Sequence, residues 1–315
     1  MSINKLLIVT AEPKSVFLEI LFKYLNSKNK LIKKKKIILV GNKKIVEKEA
    51  KINNYKKKIY QINDLGSAIE DKLNIINVEI KKKNYKNYIS ESFKKSISIL
   101  QKDKKIGLIN GPVDKKTFLN NRYLGVTEYL AKKTGSKKPV MLIYNKKISV
   151  SPITTHLPIK YVSKHLNKNK IINNVRSINN FYKKIFKKKP KIAVLGLNPH
   201  CETASKISEE KKIIIPAIRR ANRMKISTHG PLPCDTSFIT AYKNKKYNCL
   251  VGMYHDAIQS GLKSFGFQKG VTVQGGLPIP ITTPAHGTAF DIVGKNKANI
   301  NPTLESLKLL LRLLS

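Results

Sequence analysis

The sequence predicts an α/β protein whose sheet is covered by helices on both faces. Three observations lead there: short runs rich in Ile and Val recur along the chain, the runs are continuous, and amphipathic helical patterns separate them. A strand buried on both faces shows an unbroken apolar run, whereas a half-exposed strand alternates.

Residues 6–10 form the first predicted strand. Phe17, Ile20, Leu21, Tyr24 and Leu25 then fall at i, i+3, i+4, i+7 and i+8, one face of a helix packing on a sheet. Residues 37–41 read as a second strand, and Ile89, Phe93, Ile97 and Leu100 line the face of another helix. Further strands are expected at 106–109, 140–144, 192–196 and 249–253. The charge-rich stretch 167–190 reads as a solvated helix and loop, and the leucine-dense tail 303–314 as a docked core helix. With 315 residues, and roughly 100 to 200 per domain, two domains are expected. No internal repeat or Pro/Ser-rich hinge separates them, so the chain should pass between them through strands or helices, crossing twice.

Composition narrows the function. Hydrophobic residues are 41% and charged residues 26%, which excludes a disordered or collagen-like chain. Lys and Arg number 62 against 19 Asp and Glu, a net charge of +43 that attracts polyanions, anionic membranes and phosphorylated metabolites. The lysines are dispersed in runs such as 33–36, 56–58, 81–83 and 187–189, alongside abundant Ile and Asn. All three residue types have A/T-rich codons, so base-composition drift accounts for the excess without a ligand. A nucleic-acid-binding protein would gather its lysines on one face with interleaved aromatics. Aromatics here are 7% and Trp is absent, so no specific nucleic-acid partner is expected.

Cys201, Cys234 and Cys249 form no C-x-x-C pair, which indicates neither a disulfide framework nor a thiolate zinc site. From Met1 the chain runs directly into Leu6, Leu7, Ile8 and Val9 without the pattern of a signal peptide. No apolar run approaches the ~18 residues that span a bilayer. A cytoplasmic protein with no membrane association is the expectation.

There is no P-loop, no G-x-G-x-x-G turn and no G-x-S-x-G elbow. The six histidines carry more information. His165 reads as a helix-surface residue and His229 as a loop residue. His156, in Thr154-Thr-His-Leu-Pro158, His200, ending Gly196-Leu-Asn-Pro-His200, His255, just past strand 249–253, and His286, before Gly287, lie among turn formers beside predicted strands. Ligands of doubly wound sheets bind beyond the carboxyl ends of the strands, where His200 and His255 fall. Their spacing is compatible both with separate loop histidines and with a three-imidazole site for a divalent ion.

Seven blocks occur in order: Gly111-Pro-Val-Asp-Lys115-Lys, Gly125-Val-Thr127-Glu128-Tyr-Leu-Ala, Thr154-Thr-His-Leu-Pro158, Gly196-Leu-Asn-Pro-His200, Gly230-Pro-Leu-Pro-Cys-Asp235-Thr, Met253-Tyr-His-Asp256 and His286-Gly-Thr-Ala289. The series resembles the 4-hydroxythreonine-4-phosphate dehydrogenase family of pyridoxal phosphate biosynthesis. Each block is weak singly, but together they cover about residues 107–300, and Thr10-Ala-Glu12-Pro13 looks like a degraded form of the family's first loop.

The resemblance implies a two-domain α/β/α architecture like that of isopropylmalate and isocitrate dehydrogenases, with a cleft between domains. The expected first domain is 1–118 plus 284–315, and the second, carrying the metal ligands and dimer interface, is 119–283. It implies oxidation of the 3-hydroxyl of 4-phosphooxy-L-threonine by NAD, or NADP, followed by decarboxylation to 3-amino-2-oxopropyl phosphate. The partners it implies are a small phosphorylated substrate and a second copy of the chain, in a homodimer with shared active sites. One divalent metal per site (Zn, Co, Mn or Mg) would be held by His156 and His200 of one chain and His255 of the other. As candidate catalytic residues, Asp256 could orient a ligand, hold the substrate amine or relay a proton, and Lys115 could donate a proton or contact phosphate, with Lys115 equally readable as a surface lysine. Thr127 and Lys263 match substrate contacts, and Thr272 stands at the position of a third. His286, Gly287, Asp291 and Asn299 match the segment lining the adenosine side of the nucleotide; the other reading of His286 is a cap or core hydrogen-bond donor.

The chain also departs from the family. Val126 stands where a His is usual, Thr272 where an Asn is, Ile281 where a substrate arginine is, and Ala285 where an Asp precedes His286. Losing a charge-assisted anion contact removes ~1.5 to 3 kcal/mol. Either nearby lysines such as Lys269 compensate in the same pathway enzyme, or the same chemistry serves another hydroxy acid, for instance a cyclic dihydrodiol carboxylate.

Overall fold

The computed structural model describes residues 5–27, 35–103, 105–114, 118–119, 122–123, 125–201, 208–264 and 270–314. The chain divides into two compact units: Met1–Val126, Lys132–Gly135 and Leu277–Ser315 in the first, Thr127–Ala131 and Ser136–Gly276 in the second. The chain first crosses after Val126, past the expected 118/119, returns to the first unit over Lys132–Gly135, and crosses back for the last time after Gly276, before the expected 283/284.

The first unit holds β1 (Lys5–Val9), β2 (Lys36–Gly41), β3 (Ile59–Gln61), β4 (Leu73–Asn77), β5 (Gly107–Asn110) and, from the C-terminal part of the chain, β12 (Ile281–Pro284). They lie in the order β3-β4-β2-β1-β5-β12 and all pair in parallel. Central strands are buried end to end, as Leu6 to Val9 and Ile38 to Val40 show at 0–1% exposure, which is why they read as unbroken apolar runs. Tyr88, on helix Tyr85–Lys102, ties two strand ends together: its hydroxyl meets Thr10 Oγ1 at 2.9 Å and accepts from Asn42 N at 3.1 Å. Helix Asn301–Leu314 covers β5 and β12, with Leu310 directly over Gly107.

The second unit holds β6 (Val140–Tyr144), β7 (Ser149–Thr154), β8 (Ile192–Leu195), β9 (Thr228–Leu232), β10 (Cys249–Tyr254) and β11 (Val271–Gly275). Their order is β11-β6-β7-β10-β8-β9. The β7-β10-β8-β9 part is parallel, and β11 and β6 join antiparallel. The carboxyl ends of β7, β10 and β8 therefore emerge side by side at one edge.

Helix starts follow local chemistry. Asn42, Asn84 and Asn167 each accept from the backbone N–H three residues on, capping helices Lys43–Ile52, Tyr85–Lys102 and Lys168–Phe186. Two expectations are corrected here. The stretch 167–190 is not merely solvated: its helix buries Ile171, Val175, Ile178 and Tyr182, while its lysines cover the outer side. His229 belongs to strand β9, exposed, and not to a loop. His165 is on a helix surface, as expected. Among the described residues no helix is long and apolar enough to cross a membrane.

Candidate functional site

In the second unit the three strand ends carry three histidines. β7 and β10 run in register, with Thr154 opposite Tyr254. Thr154 Oγ1 donates to Met253 O at 2.8 Å, clamping the two ends together. Next along, Thr155 Oγ1 donates to Glu128 Oε1 at 2.8 Å, which fixes the following residue against helix Val126–Lys133. His156 thus stands beside His255, the first residue of helix His255–Ser264, with ring centroids 5.4 Å apart and planes at 40°.

His255 is itself oriented. Its Nδ1 lies 2.6 Å from Asp256 Oδ1. This is the carboxylate–imidazole arrangement that fixes the tautomer of a metal-binding histidine and leaves Nε2 as the ligating nitrogen. The hydrogen bond from His255 and its charge hold the Asp256 carboxyl below its usual range, with smaller help from Lys263 and His156. The His255 side chain is 27% exposed and that of Asp256 is 82% exposed, so a ligand can reach the pair.

His200 occupies the loop after β8, the other neighbour of β10. The turn Pro199–Cys201 puts His200 at φ 55° and Cys201 at φ 60°, both left-handed. Gly196 lets the loop fold back, since a side chain there would stand 2.7 Å from Cys201 Sγ. Glu210, 1% exposed, lies under the loop. Its Oε1 accepts from Leu197 N at 2.8 Å and Asn198 N at 2.9 Å, and its Oε2 accepts from Asn198 Nδ2 at 2.8 Å. Burial pushes this carboxyl up, but the hydrogen bonds from Asn198 and Leu197 outweigh it and the net shift is downward.

Within one chain the rings of His156 and His255 stand side by side, whereas the resemblance assigns His156 and His200 to one subunit and His255 to the other. Among the described residues no three His, Cys, Asp or Glu side chains converge into a cation-holding group. The donor set nonetheless suits a divalent cation of the zinc or cobalt kind: two adjacent imidazoles, one with a carboxylate behind it, at an accessible strand edge.

The other expected contacts spread out. Thr127 is buried at 3% exposure, beside Glu128 in the same helix. Lys263 is exposed, two turns along the helix that His255 opens. Thr272 sits within β11 opposite Ile143, three residues before the strand's end at Gly275, or about 10 Å back from the edge. Lys115 lies outside the described residues, as does Lys269. Glu210, under the loop of His200, lies outside every sequence block, and Glu128 falls within the block 125–131 but its bond to Thr155 is not legible there.

The first unit contains the 286–299 segment. His286 is half-buried and engaged on both sides: Nδ1 lies 3.0 Å from Gly287 O and Nε2 3.1 Å from Thr303 Oγ1, with the Phe17 ring tilted at 34° to it, centroids 6.1 Å apart. Burial lowers its pKa below the ordinary 6.5. Both ring nitrogens are used by the chain, which favours the core hydrogen-bonding role over nucleotide contact. Gly287 and Asp291 are exposed, and nothing lies within 4 Å of where a Gly287 side chain would be. Asn299 Oδ1 accepts from Asn301 N at the start of helix Asn301–Leu314. Ile281, at the position of the family arginine, is wholly buried opposite Leu108 of β5, so that position is part of the core.

A two-unit α/β fold with a pair of histidines beyond the parallel strands of its second unit has the form of an enzyme site. The comparisons with known proteins narrow this. A model of the pyridoxal phosphate biosynthetic protein PdxA family matches residues 33–310. A 4-hydroxythreonine-4-phosphate dehydrogenase from Sulfurihydrogenibium sp. is 36% identical over 97% of this chain and 97% of its own. A D-threonate 4-phosphate dehydrogenase from Salmonella typhimurium is 35% identical over 209 residues, 65% of this chain and 64% of its own. The crystal structure of 4-hydroxythreonine-4-phosphate dehydrogenase from Klebsiella pneumoniae shares the fold, with a TM-score of 0.81 at 24% identity over 99% of this chain and 100% of that one. The chain belongs to the PdxA family and is an oxidoreductase acting on a CH–OH donor.

Proposed function

We propose that this enzyme oxidises the 3-hydroxyl of 4-phosphooxy-L-threonine with NAD and promotes decarboxylation of the resulting β-keto acid to 3-amino-2-oxopropyl phosphate. The observation carrying this reading is the His156–His255 pair at the carboxyl edge of the second unit's sheet, backed by Asp256, in a chain of the PdxA family. A bound nicotinamide would supply the acceptor for the hydride of C3; the hydroxyl proton goes to a base, and loss of carbon dioxide from the keto acid leaves an enolate that takes up one proton.

His156 and His255 would hold a divalent cation, with His200 of a second copy as the third ligand in a homodimer. A cation there supplies Lewis acidity to the substrate's reacting oxygen. Asp256 fixes the His255 ring. The exposed Lys263 ammonium offers a partner for phosphate or carboxylate. Thr127 contributes a hydroxyl, and Gly287 and Asp291 offer accessible positions for the nucleotide. Lys115 is retained as a candidate proton donor. Thiols outside any disulfide at Cys201, Cys234 and Cys249, with Cys234 pushed up to about 11 by burial, suit a reducing cytoplasm.

A second reading is a related substrate. The burial of Ile281 where the family carries an arginine favours it, and D-threonate 4-phosphate, the substrate named for the Salmonella relative, is the natural candidate. Initial-rate NADH formation with 4-phosphooxy-L-threonine, D-threonate 4-phosphate and a cyclic dihydrodiol carboxylate, each with and without chelator, separates the two. Chelator-sensitive turnover greatest with 4-phosphooxy-L-threonine is expected. Turnover confined to either other compound would overturn the first reading.

A further inference from the structure

We infer that Glu210 is the positioning residue for His200, its buried carboxylate fixing the backbone that carries the imidazole at the sheet edge. The inference rests on the reading that His200 helps hold the cation. Glu210 never touches the ring; it acts through Leu197 and Asn198.

A carboxylate at 1% exposure is costly to bury unless donors saturate it. Here the backbone N–H groups of Leu197 and Asn198 and the Asn198 amide, all in the loop after β8, point at its two oxygens at 2.8 to 2.9 Å. Asn198 Nδ2 also reaches Glu209 Oε2 at 3.0 Å. The loop is pinned two residues before His200.

The pinned segment leads straight into a strained one. His200 and Cys201 are consecutive non-glycine residues in the left-handed region, a strained backbone that persists only where surroundings over-determine it. Cys201 N donating to Asn198 O at 3.1 Å closes the turn from one side, and Glu210 holds Asn198 from the other.

Glu210 also begins a π-helical turn, Glu210–Ile214, just before helix Ile215–Arg223. Pro216 lacks the N–H that would bond back to Lys212 O, so the regular ladder is interrupted at this point. The wide turn and the carboxylate sit together beneath the histidine loop.

The test is a Co²⁺ titration of the purified full-length protein, followed by visible d–d absorption, for wild type, Glu210→Gln and Asn198→Ala. Thermal unfolding of each in chelator is measured alongside. Glu210→Gln keeps the size and one acceptor oxygen but sets an NH2 against the Asn198 amide. Cobalt affinity is expected to fall about 10- to 100-fold in Glu210→Gln, the range typical of lost outer-shell partners, with an altered absorption envelope. Asn198→Ala should move in the same direction, and the chelated variants should melt close to wild type. Equal affinity in wild type and Glu210→Gln overturns the inference and leaves the metal reading standing. Affinity loss matched by an equal loss of chelated-state stability in both variants also overturns it, since the role is then structural. No cobalt binding by wild type removes the metal reading and this inference together.

Discussion

The second unit's histidine pair and the first unit's His286 begin from similar sequence settings, turn-rich segments beside strands, and end with different jobs. His255 has one ring nitrogen held by Asp256 at 2.6 Å and stands beside the ring of His156. His286 has both nitrogens engaged by its own chain, at Gly287 and Thr303. The difference teaches that the number of ring nitrogens left after local hydrogen bonding separates a candidate ligand from a structural histidine.

The largest expected effect breaks the first half of that comparison. His255→Ala should lower NADH-forming turnover by more than the roughly 100-fold that accompanies loss of an outer-shell partner, with the circular dichroism spectrum unchanged. Activity within tenfold of wild type, a limit of about 1.4 kcal/mol in barrier height, would mean that the ring serves no reacting group.

A smaller effect sharpens the second half. His286 is held neutral, with its pKa below 6.5 because burial disfavours the imidazolium. A base with a lowered folded-state pKa adds stability above its unfolded value, and that contribution is lost as pH falls through 6.5 toward the folded value. The melting temperature of wild type should therefore drop more between about pH 7 and about pH 5 than that of His286→Asn, while the KM for NAD of the two stays similar near pH 7. A selective rise in that KM in the variant would return His286 to nucleotide binding.

Much of the fold was legible because its central strands are dry on both faces. Residues 6–10, 37–41, 140–144 and 249–253 announced themselves as apolar runs. The strands that escaped contain polar residues whose needs are met internally. Asn74 in β4, at 0% exposure, donates to Ile37 O, Ile69 O and Lys72 O. Ser149 and Ser151 in β7 bond Tyr182 and Met141, and Pro152 of the same strand stands opposite Gly252. β9 runs through Gly230-Pro231, which reads as a turn. Such satisfaction is a tertiary fact with no local signature.

The site shows the same division. Its histidines were legible as polar residues just beyond strands, but their pairing depended on strand order, β7 beside β10, which periodicity does not encode. Glu128 and Glu210 hold the loops through hydrogen bonds to distant residues. Ile281 was read as a lost substrate contact, whereas its burial in β12 makes it a core residue.

The most direct measurement is a crystal structure of the protein grown with Zn²⁺, with anomalous difference density recorded at the zinc edge. One peak per site is predicted, coordinated by His156 and His255 of one chain, with His200 of a second copy completing the ligands. Zinc held elsewhere, or these two rings turned from each other with no peak between them, would contradict the shared-cation site.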